Sequence, residues 1–299
     1  MNVLLIGGNG FIGSGVAKYF SERGHRITSV SRTSRPASGN IESVAADRMN
    51  ASSFSAAIGS RAFDIAVDLT AYKKADLDAV LPSLVGRTGH FFFISTDFVY
   101  ANDIEQFPIR EDAPKDPDSA YGQGKLECEA RLQEVASERN FKFTALRPPH
   151  VIGTGKELGS GTVQGRDRNM LRSMRAGTGL TMIADGMPII MPVWHQQIAA
   201  AIEACAMKPA TFGQSMNMSG GDVVTTRKYY QLIADILGVQ LRYDSISLDD
   251  YRRDNPDKRA FARHRINDMS KLKTLAGYEP GPKLVEALRE TVQWMDANL

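Results

Sequence analysis

Three side chains of this 299-residue sequence have the types and spacing to move a proton at a carbon–oxygen bond: Thr96, Tyr121 and Lys125. Tyr121 and Lys125 are four residues apart, so on a helix they share one face. A lysine beside a phenol favours the phenolate and lowers the tyrosine pKa toward working pH. Tyr121 can then pass a proton to or from a substrate oxygen. Thr96, at the end of a strand-like run, can hydrogen-bond that oxygen and stabilise its developing charge. Tyrosine and lysine at this spacing also occur on ordinary helix surfaces. The pair gains weight from the strand-end residues Ser95-Thr96 and from a glycine turn far upstream.

That turn predicts a site for the hydride carrier. Val3 to Ile6 is a short apolar run of the kind that forms a buried strand; Gly7-Gly8-Asn9-Gly10-Phe11-Ile12-Gly13 follows, and an amphipathic run then extends to Arg23. Glycines let the chain turn sharply and let backbone amides at a helix start approach a pyrophosphate. Gly7, Gly10, Phe11, Ile12 and Gly13 are therefore the first candidate cofactor residues. Their spacing is GxxGxxG, not the commoner GxGxxG. A second strand, Arg26 to Val30, ends at Ser31-Arg32, where an acidic residue would grip the ribose hydroxyls of NAD. With Arg35 nearby, Ser31 and Arg32 favour the 2′-phosphate of NADP, with NAD as the alternative and a solvated basic turn as the plain reading. Asp47, after the apolar stretch Ile41 to Ala46, is placed either to accept from the adenine amino group or to cap the next helix.

To bring residues near positions 10, 96 and 121 together, the chain needs alternating elements. Strand-like segments at Asp64 to Leu69, His90 to Ser95 and Phe141 to Leu146 alternate with helix-like segments at Asp76 to Leu84 and Tyr121 to Arg139. The pattern predicts an α/β fold, a doubly wound parallel sheet covered by helices on both faces. Ligands of such sheets bind at the carboxyl ends of the strands, where Ser95 and Thr96 fall. Gly153 to Gly165 is glycine-rich and polar, expected to be a mobile loop opening a second lobe. The organisation is thus residues 1–152 as the dinucleotide-binding domain and 153–299 as a smaller C-terminal α/β substrate lobe, with some segments returning to the first. Helices are expected around Arg168 to Ala176, Gln196 to Ala206, Thr226 to Leu237 and Lys283 to Met295.

Bulk composition narrows the function classes. The hydrophobic content of 42% suffices for a full core, and the net charge of +2 gives no global case for nucleic acid. Cys128 and Cys205 have no metal or redox spacing and are expected to be reduced, half-buried helix residues. The five histidines, His25, His90, His150, His195 and His264, are scattered without a metal pattern. The opening apolar stretch is too short for a signal sequence and no apolar run reaches membrane length, so a cytoplasmic location is expected.

Taken together, these residues resemble the extended short-chain dehydrogenase/reductase family of sugar-nucleotide epimerases, dehydratases and reductases. The likeness runs through Gly7, Gly10 and Gly13, Asp47, Thr96, Tyr121 with Lys125, Arg147-Pro148 leading to Gly153, and Asp268-Met269-Ser270-Lys271 through Gly277-Tyr278-Glu279-Pro280. It implies a Rossmann sheet, Thr96, Tyr121 and Lys125 as the catalytic triad, and Leu69, Thr70, Ala71, Lys125 and Arg147 among the cofactor contacts. Within the family, Ser95-Thr96-Asp97-Phe98-Val99 is similar to reductases of 4-keto sugar nucleotides; dehydratases carry an acidic pair after the threonine, and here Phe98 follows Asp97.

Two features depart from a sugar-nucleotide enzyme or point elsewhere. Met187 to Trp194 is apolar where the family has an arginine for the substrate pyrophosphate, and two phosphates need donors. The basic run Arg252, Arg253, Lys258, Arg259, Arg263 and Arg265 either supplies them or is a solvated surface. Met182, Met187, Met191 and Trp194 are pocket-wall or core residues. Asp97, Phe98, His150 and Trp194 are the candidate substrate contacts. The expected function is an NADP-dependent reductase of a carbonyl on a small-molecule substrate, with an NAD-dependent epimerase as runner-up and no metal or membrane. The resemblance implies a homodimer. Ala46-Asp47-Arg48 and Phe63 to Asp68 look like chloroplast stem-loop RNA-binding proteins of the same fold. A non-catalytic role would leave Thr96, Tyr121 and Lys125 without a purpose.

Overall fold

The computed structural model describes all residues, Met1–Leu299. The first part of the chain builds β1 (Asn2–Ile6), α1 (Phe11–Glu22), β2 (Arg26–Ser31), β3 (Ile41–Ala45), α2 (Ala51–Ile58), β4 (Phe63–Asp68), α3 (Lys74–Leu84), β5 (Thr88–Ile94), α4 (Ala120–Arg139) and β6 (Phe143–Arg147). The remainder forms β7 (Val151–Ile152), α5 (Met170–Arg175), β8 (Leu180–Ile183), β9 (Ile189–Ile190), β10 (Val193–Trp194), α6 (His195–Cys205), β11 (Gln214–Asn217), β12 (Val224–Thr225), α7 (Thr226–Leu237), β13 (Tyr243–Ile246), α8 (Leu248–Asp254), α9 (Ser270–Ala276) and α10 (Leu284–Asn298).

Seven strands pair in the order β11-β6-β5-β4-β1-β2-β3, and every pairing is parallel. This is the doubly wound α/β sheet that the alternation of apolar runs and helices predicts, with its switch of direction between β1 and β4. Side chains alternate across each strand, and the two faces have different partners. Val3, Leu5, Ile65, Val67 and Phe92 pack under α1, α6 and α9. Leu4, Ile6, Ala66, Phe91 and Phe93 pack under α2, α3 and α4. Near-continuous apolar strands are the consequence of cover on both faces.

The second core belongs to the lobe. Ile152 and Leu158 meet Met170 and Met174 of α5, Met182 of β8, Tyr229 and Ile233 of α7, and Leu288 and Val292 of α10. Three small strand pairs frame it: β8 with β13, β9 with β12 and β7 with β10. The chain also returns to the large sheet. Ile198, Ala201 and Ile202 of α6 and Leu272 of α9 pack in the core beneath α1, and β11 adds the seventh strand. Cys128 and Cys205 are free and fully buried, not half-buried as expected, because α4 and α6 turn them toward the sheet; burial pushes both thiols up to about 12. No helix is long and apolar enough to cross a membrane.

Candidate active site

The glycine turn joins β1 to α1. Gly7 donates to the Val30 carbonyl at 2.7 Å and Gly10 to the Gly7 carbonyl at 2.9 Å, closing the turn between the first two strands. Gly13 sits where a Cβ would lie 2.5 Å from the Gly7 oxygen and 2.6 Å from the Gly8 Cα, so only glycine lets α1 start this close. Gly10 is the N-cap and offers no side-chain acceptor, which leaves the first amides of α1, including those of Phe11, Ile12 and Gly13, without an internal partner. Free amides at the positive end of a twelve-residue helix fit a dinucleotide pyrophosphate. From the lobe, Arg166 sets its guanidinium 5.5 Å from the Phe11 ring while Nη2 donates to the Val151 carbonyl at 2.7 Å. The sequence reading passed over Arg166, because nothing near it in sequence ties it to α1.

At the other end of the turn, Ser31 and Arg35 gather around Asn9. The Asn9 amide donates to Ser31 Oγ at 3.2 Å, and Arg35 Nη2 donates to the Asn9 carbonyl at 3.0 Å. Arg32 is exposed and no protein group bonds it. Asp47 is exposed and accepts from the Met49 amide at 2.9 Å. The cap of α2 is instead Asn50, whose Oδ1 accepts from the Ser53 amide at 3.0 Å, so the capping alternative for Asp47 falls to its neighbour.

Leu69, Thr70 and Ala71 leave the end of β4 in a turn organised by Asp68. Both the Thr70 and Ala71 amides donate to Asp68 Oδ1 at 2.9 Å, and Arg48 grips the same fully buried carboxylate through two bonds of 2.7 Å. The segments that look like an RNA-binding protein, around Arg48 and Asp68, thus meet in an ion pair, half-buried on the arginine side, that ties the loop after β3 to the end of β4. An Arg and an Asp twenty residues apart carry no local signal that they pair.

Ser95 and Thr96 extend β5 into a short 3-10 turn, Asp97–Val99. Helix α4 begins opposite, capped by Ser119, whose hydroxyl accepts from the Gly122 amide at 3.1 Å. Gly124 lies between Tyr121 and Lys125, and a Cβ there would come 2.1 Å from the Tyr72 carbonyl oxygen. Its absence lets the helix seat its catalytic turn against residue 72. Tyr121 is 40% exposed, its ring bracketed edge-on by Phe98 and at a tilt by Tyr72, each 6.0 Å between centroids. Thr96 is buried beside it.

The expectation that Lys125 lowers the Tyr121 pKa does not hold for the chain as folded. Although the residue as a whole is exposed, protein crowds its phenol end, and this loss of solvation, the largest influence, pushes the Tyr121 phenol up to about 12 against a contact from Thr96 that works the other way. Lys125 is directed elsewhere. Its ammonium donates to the Ile94 carbonyl at 2.7 Å and lies 4.9 Å from the Tyr72 ring centroid, against 5.9 Å for Tyr121. Burial lowers Lys125 to about 8, opposed by the charge of Asp68. The phenol is therefore protonated at neutral pH, and the lysine keeps its ammonium there but loses it more readily than a solvated lysine.

Several other sequence candidates have different surroundings. Arg147, assigned to the cofactor, is 3% exposed and held by Glu129 through Nε at 2.9 Å and Nη2 at 2.5 Å, with Nη1 on Tyr100 Oη at 2.8 Å; it braces the ends of β5 and β6. Asp97 is 1% exposed and bound by Arg265, so its carboxylate is already engaged. Phe98 does line the Tyr121 ring. His150 is buried in the lobe with Nε2 3.2 Å from Tyr229 Oη, and burial drives its pKa far below the usual range, keeping it neutral. Trp194 is half-buried at the start of α6, stacked on His195 at the β7–β10 junction.

The basic run divides. Arg253 is solvent-facing and paired with Asp250 and Asp254, as a surface arginine would be, whereas Arg263 and Arg265 are buried against Asp97. Met182 and Met191 are core residues and Met187 is exposed.

Residues 3–217 match the sequence model of the NAD dependent epimerase/dehydratase family. In sequence the chain is similar to the chloroplast stem-loop binding protein of 41 kDa b of Arabidopsis thaliana, at 22% identity over 307 residues, 97% of this chain and 78% of that one. Its fold is similar to that of a UDP-N-acetylglucosamine 4-epimerase from Methanobrevibacter ruminantium M1, with a TM-score of 0.83 and 21% identity over 100% of this chain and 99% of that one. It is equally similar to a UDP-glucose 4-epimerase from Thermotoga maritima, with a TM-score of 0.82 and 21% identity over 99% of each chain. The chain is an enzyme for which oxidoreductase and epimerase chemistry both fit, and it belongs to the NAD dependent epimerase/dehydratase family.

Proposed function

We propose that the protein is an NADP-dependent oxidoreductase that reduces a carbonyl, such as that of a keto sugar, with Tyr121 as the acid/base. The observation that carries this reading is the end of β2, where the chain offers Ser31 and the unpaired, exposed Arg32 in place of an acidic residue. A guanidinium there suits a 2′-phosphate, and a carboxylate would repel it. The cofactor, when bound, supplies the hydride. Thr96 and Tyr121 hold and polarise the substrate oxygen, Tyr121 gives it a proton, and Lys125 anchors the nicotinamide ribose with its ammonium. A phenol raised to about 12 holds its proton at neutral pH and gives it up as negative charge develops on the substrate oxygen.

Arg32→Ala should weaken NADPH by about tenfold or more while changing NADH by about twofold at most, because only NADPH loses a charge-assisted contact. Fluorescence titration of cofactor-stripped protein measures both. Equal weakening of the two would remove the case for the 2′-phosphate.

Lys125 gives a pH test. Its ammonium is lowered to about 8 by burial, so the charge that holds the ribose declines as pH rises through about 8. NADPH affinity should fall over that interval in the wild type and stay flat in Lys125→Met. A flat wild-type profile would exclude the charged lysine as anchor. For stability the sign is opposite: the folded chain binds fewer protons than the unfolded one between about 8 and the usual lysine pKa of about 10.4, so this residue's burial cost lessens as pH rises through that window.

A second reading is an epimerase that oxidises and re-reduces one carbon on a tightly held NAD, favoured by the family's cofactor and by the two epimerases of similar fold. Finding NAD retained through purification would select it over the reductase. The likeness to a stem-loop binding protein gives a nucleic-acid role as a third reading, which failure of the purified chain to bind either dinucleotide would favour.

A further inference from the structure

We propose that Arg263 and Arg265 form an anion seat beside Thr96 and Tyr121, and that the substrate carries a negatively charged group to it, close to the carbon that changes oxidation state. This rests on the reading of Thr96 and Tyr121 as the reacting end. Asp97 directly follows Thr96. Arg265, 2% exposed, binds both oxygens of the Asp97 carboxylate at 2.6 and 2.7 Å. Its guanidinium also lies 4.7 Å from the centroid of Phe98, the ring whose neighbour is Tyr121. Arg263, 5% exposed, makes one bond, from Nη2 to the Asp97 main-chain carbonyl at 3.1 Å.

Two guanidinium groups therefore stand on one aspartate, Arg265 on its carboxylate and Arg263 on its main-chain carbonyl, with Asp118 the other carboxylate whose charge reaches Arg263; three buried nitrogens, Arg263 Nε and Nη1 and Arg265 Nη1, have no acceptor. Buried donors are nearly always satisfied, and a buried charge without a partner is costly. Burial accordingly pulls the Arg263 guanidinium below its ordinary range, against the attraction of Asp97. The chain's other buried pair, Arg147 with Glu129, is one to one, as is the partly buried pair of Arg48 with Asp68. Only beside Thr96 does the fold bury two arginines on one acid. A hydroxyl would fill a donor's need without balancing the charge. A carboxylate or a phosphoryl group does both, and its oxygens match the guanidinium fork.

The test is calorimetric titration of the NADPH-loaded full chain with acetate and, separately, with inorganic phosphate. Loading with NADPH keeps phosphate from the glycine turn. At least one anion should bind saturably, and Arg263→Met should weaken it about tenfold or more while leaving NADPH affinity unchanged. Binding of acetate alone identifies a carboxylate, and of phosphate alone a phosphoryl group. If Arg263→Met fails to fold, Arg263→Lys keeps the charge, loses the fork, and should bind the same anion more weakly than the wild type. Neither anion binding the wild type, or undiminished binding in the folded variants, would overturn the proposal. Failure of the wild type to bind NADPH would instead strike the function proposed above.

Discussion

Replacing Tyr121 with phenylalanine should reduce turnover by about two to four orders of magnitude, the usual worth of a positioned acid/base, with the NADPH dissociation constant nearly unchanged. The substitution removes one oxygen and keeps the ring. Phe98 and Tyr72 flank that ring at 6.0 Å, so the aromatic contacts that seat the first turn of α4 survive. Lys125 reaches the Ile94 carbonyl independently of Tyr121 and remains in place. Single-turnover rates with a carbonyl substrate, paired with cofactor titration, separate the two quantities. Loss of cofactor binding in parallel with rate would show that Tyr121 shapes the site without doing its chemistry. A rate within about tenfold of the wild type would pass the acid role to another donor. Direction matters as well. Because burial raises the phenol to about 12, reduction draws on a protonated group and should be insensitive to pH around neutrality. Oxidation needs the phenolate and should accelerate as pH rises.

The sheet was legible because its central strands, β1, β4, β5 and β6, are buried on both faces, so local pattern and tertiary role agree. The strand-end position of Ser95-Thr96 and the shared helical face of Tyr121 and Lys125 follow from the same local rules. Pairings across long separations were less accessible. Asp97 reads as a substrate contact beside Thr96 until Arg265, 168 residues later, is seen to hold it. Arg147 reads as a cofactor contact until Glu129 is found against it, and the basic run reads as uniform although α8 faces solvent while Arg263 and Arg265 turn inward. The direction of the Lys125 ammonium depends on the Ile94 carbonyl, a main-chain acceptor that no residue type announces.

The strongest of these hidden pairings gives the largest stability effect. Glu129, 5% exposed on α4, accepts four hydrogen bonds: from Ser95 Oγ at 2.6 Å and Arg147 Nε at 2.9 Å on one oxygen, and from Arg147 Nη2 at 2.5 Å and Ser215 Oγ at 2.9 Å on the other. One carboxylate thus joins the ends of β5, β6 and β11, immediately behind Thr96. Burial opposes its charge, and the bonds and charge of Arg147 overcome that opposition and hold the carboxyl below the usual glutamate range. Glu129→Ala leaves Arg147 buried with Tyr100 Oη as its remaining side-chain partner, and should cost about 3–5 kcal/mol in urea unfolding, the range found for breaking a buried pair from one side. Because the folded pKa is depressed, the contribution of Glu129 is complete above the unfolded value of about 4.3 and is lost as pH falls through the folded one. The gap between wild type and Glu129→Ala should therefore be constant near neutrality and close in acid. A gap under about 1 kcal/mol at pH 7 would mean that water satisfies Arg147 and that the pair does not brace the catalytic strand end.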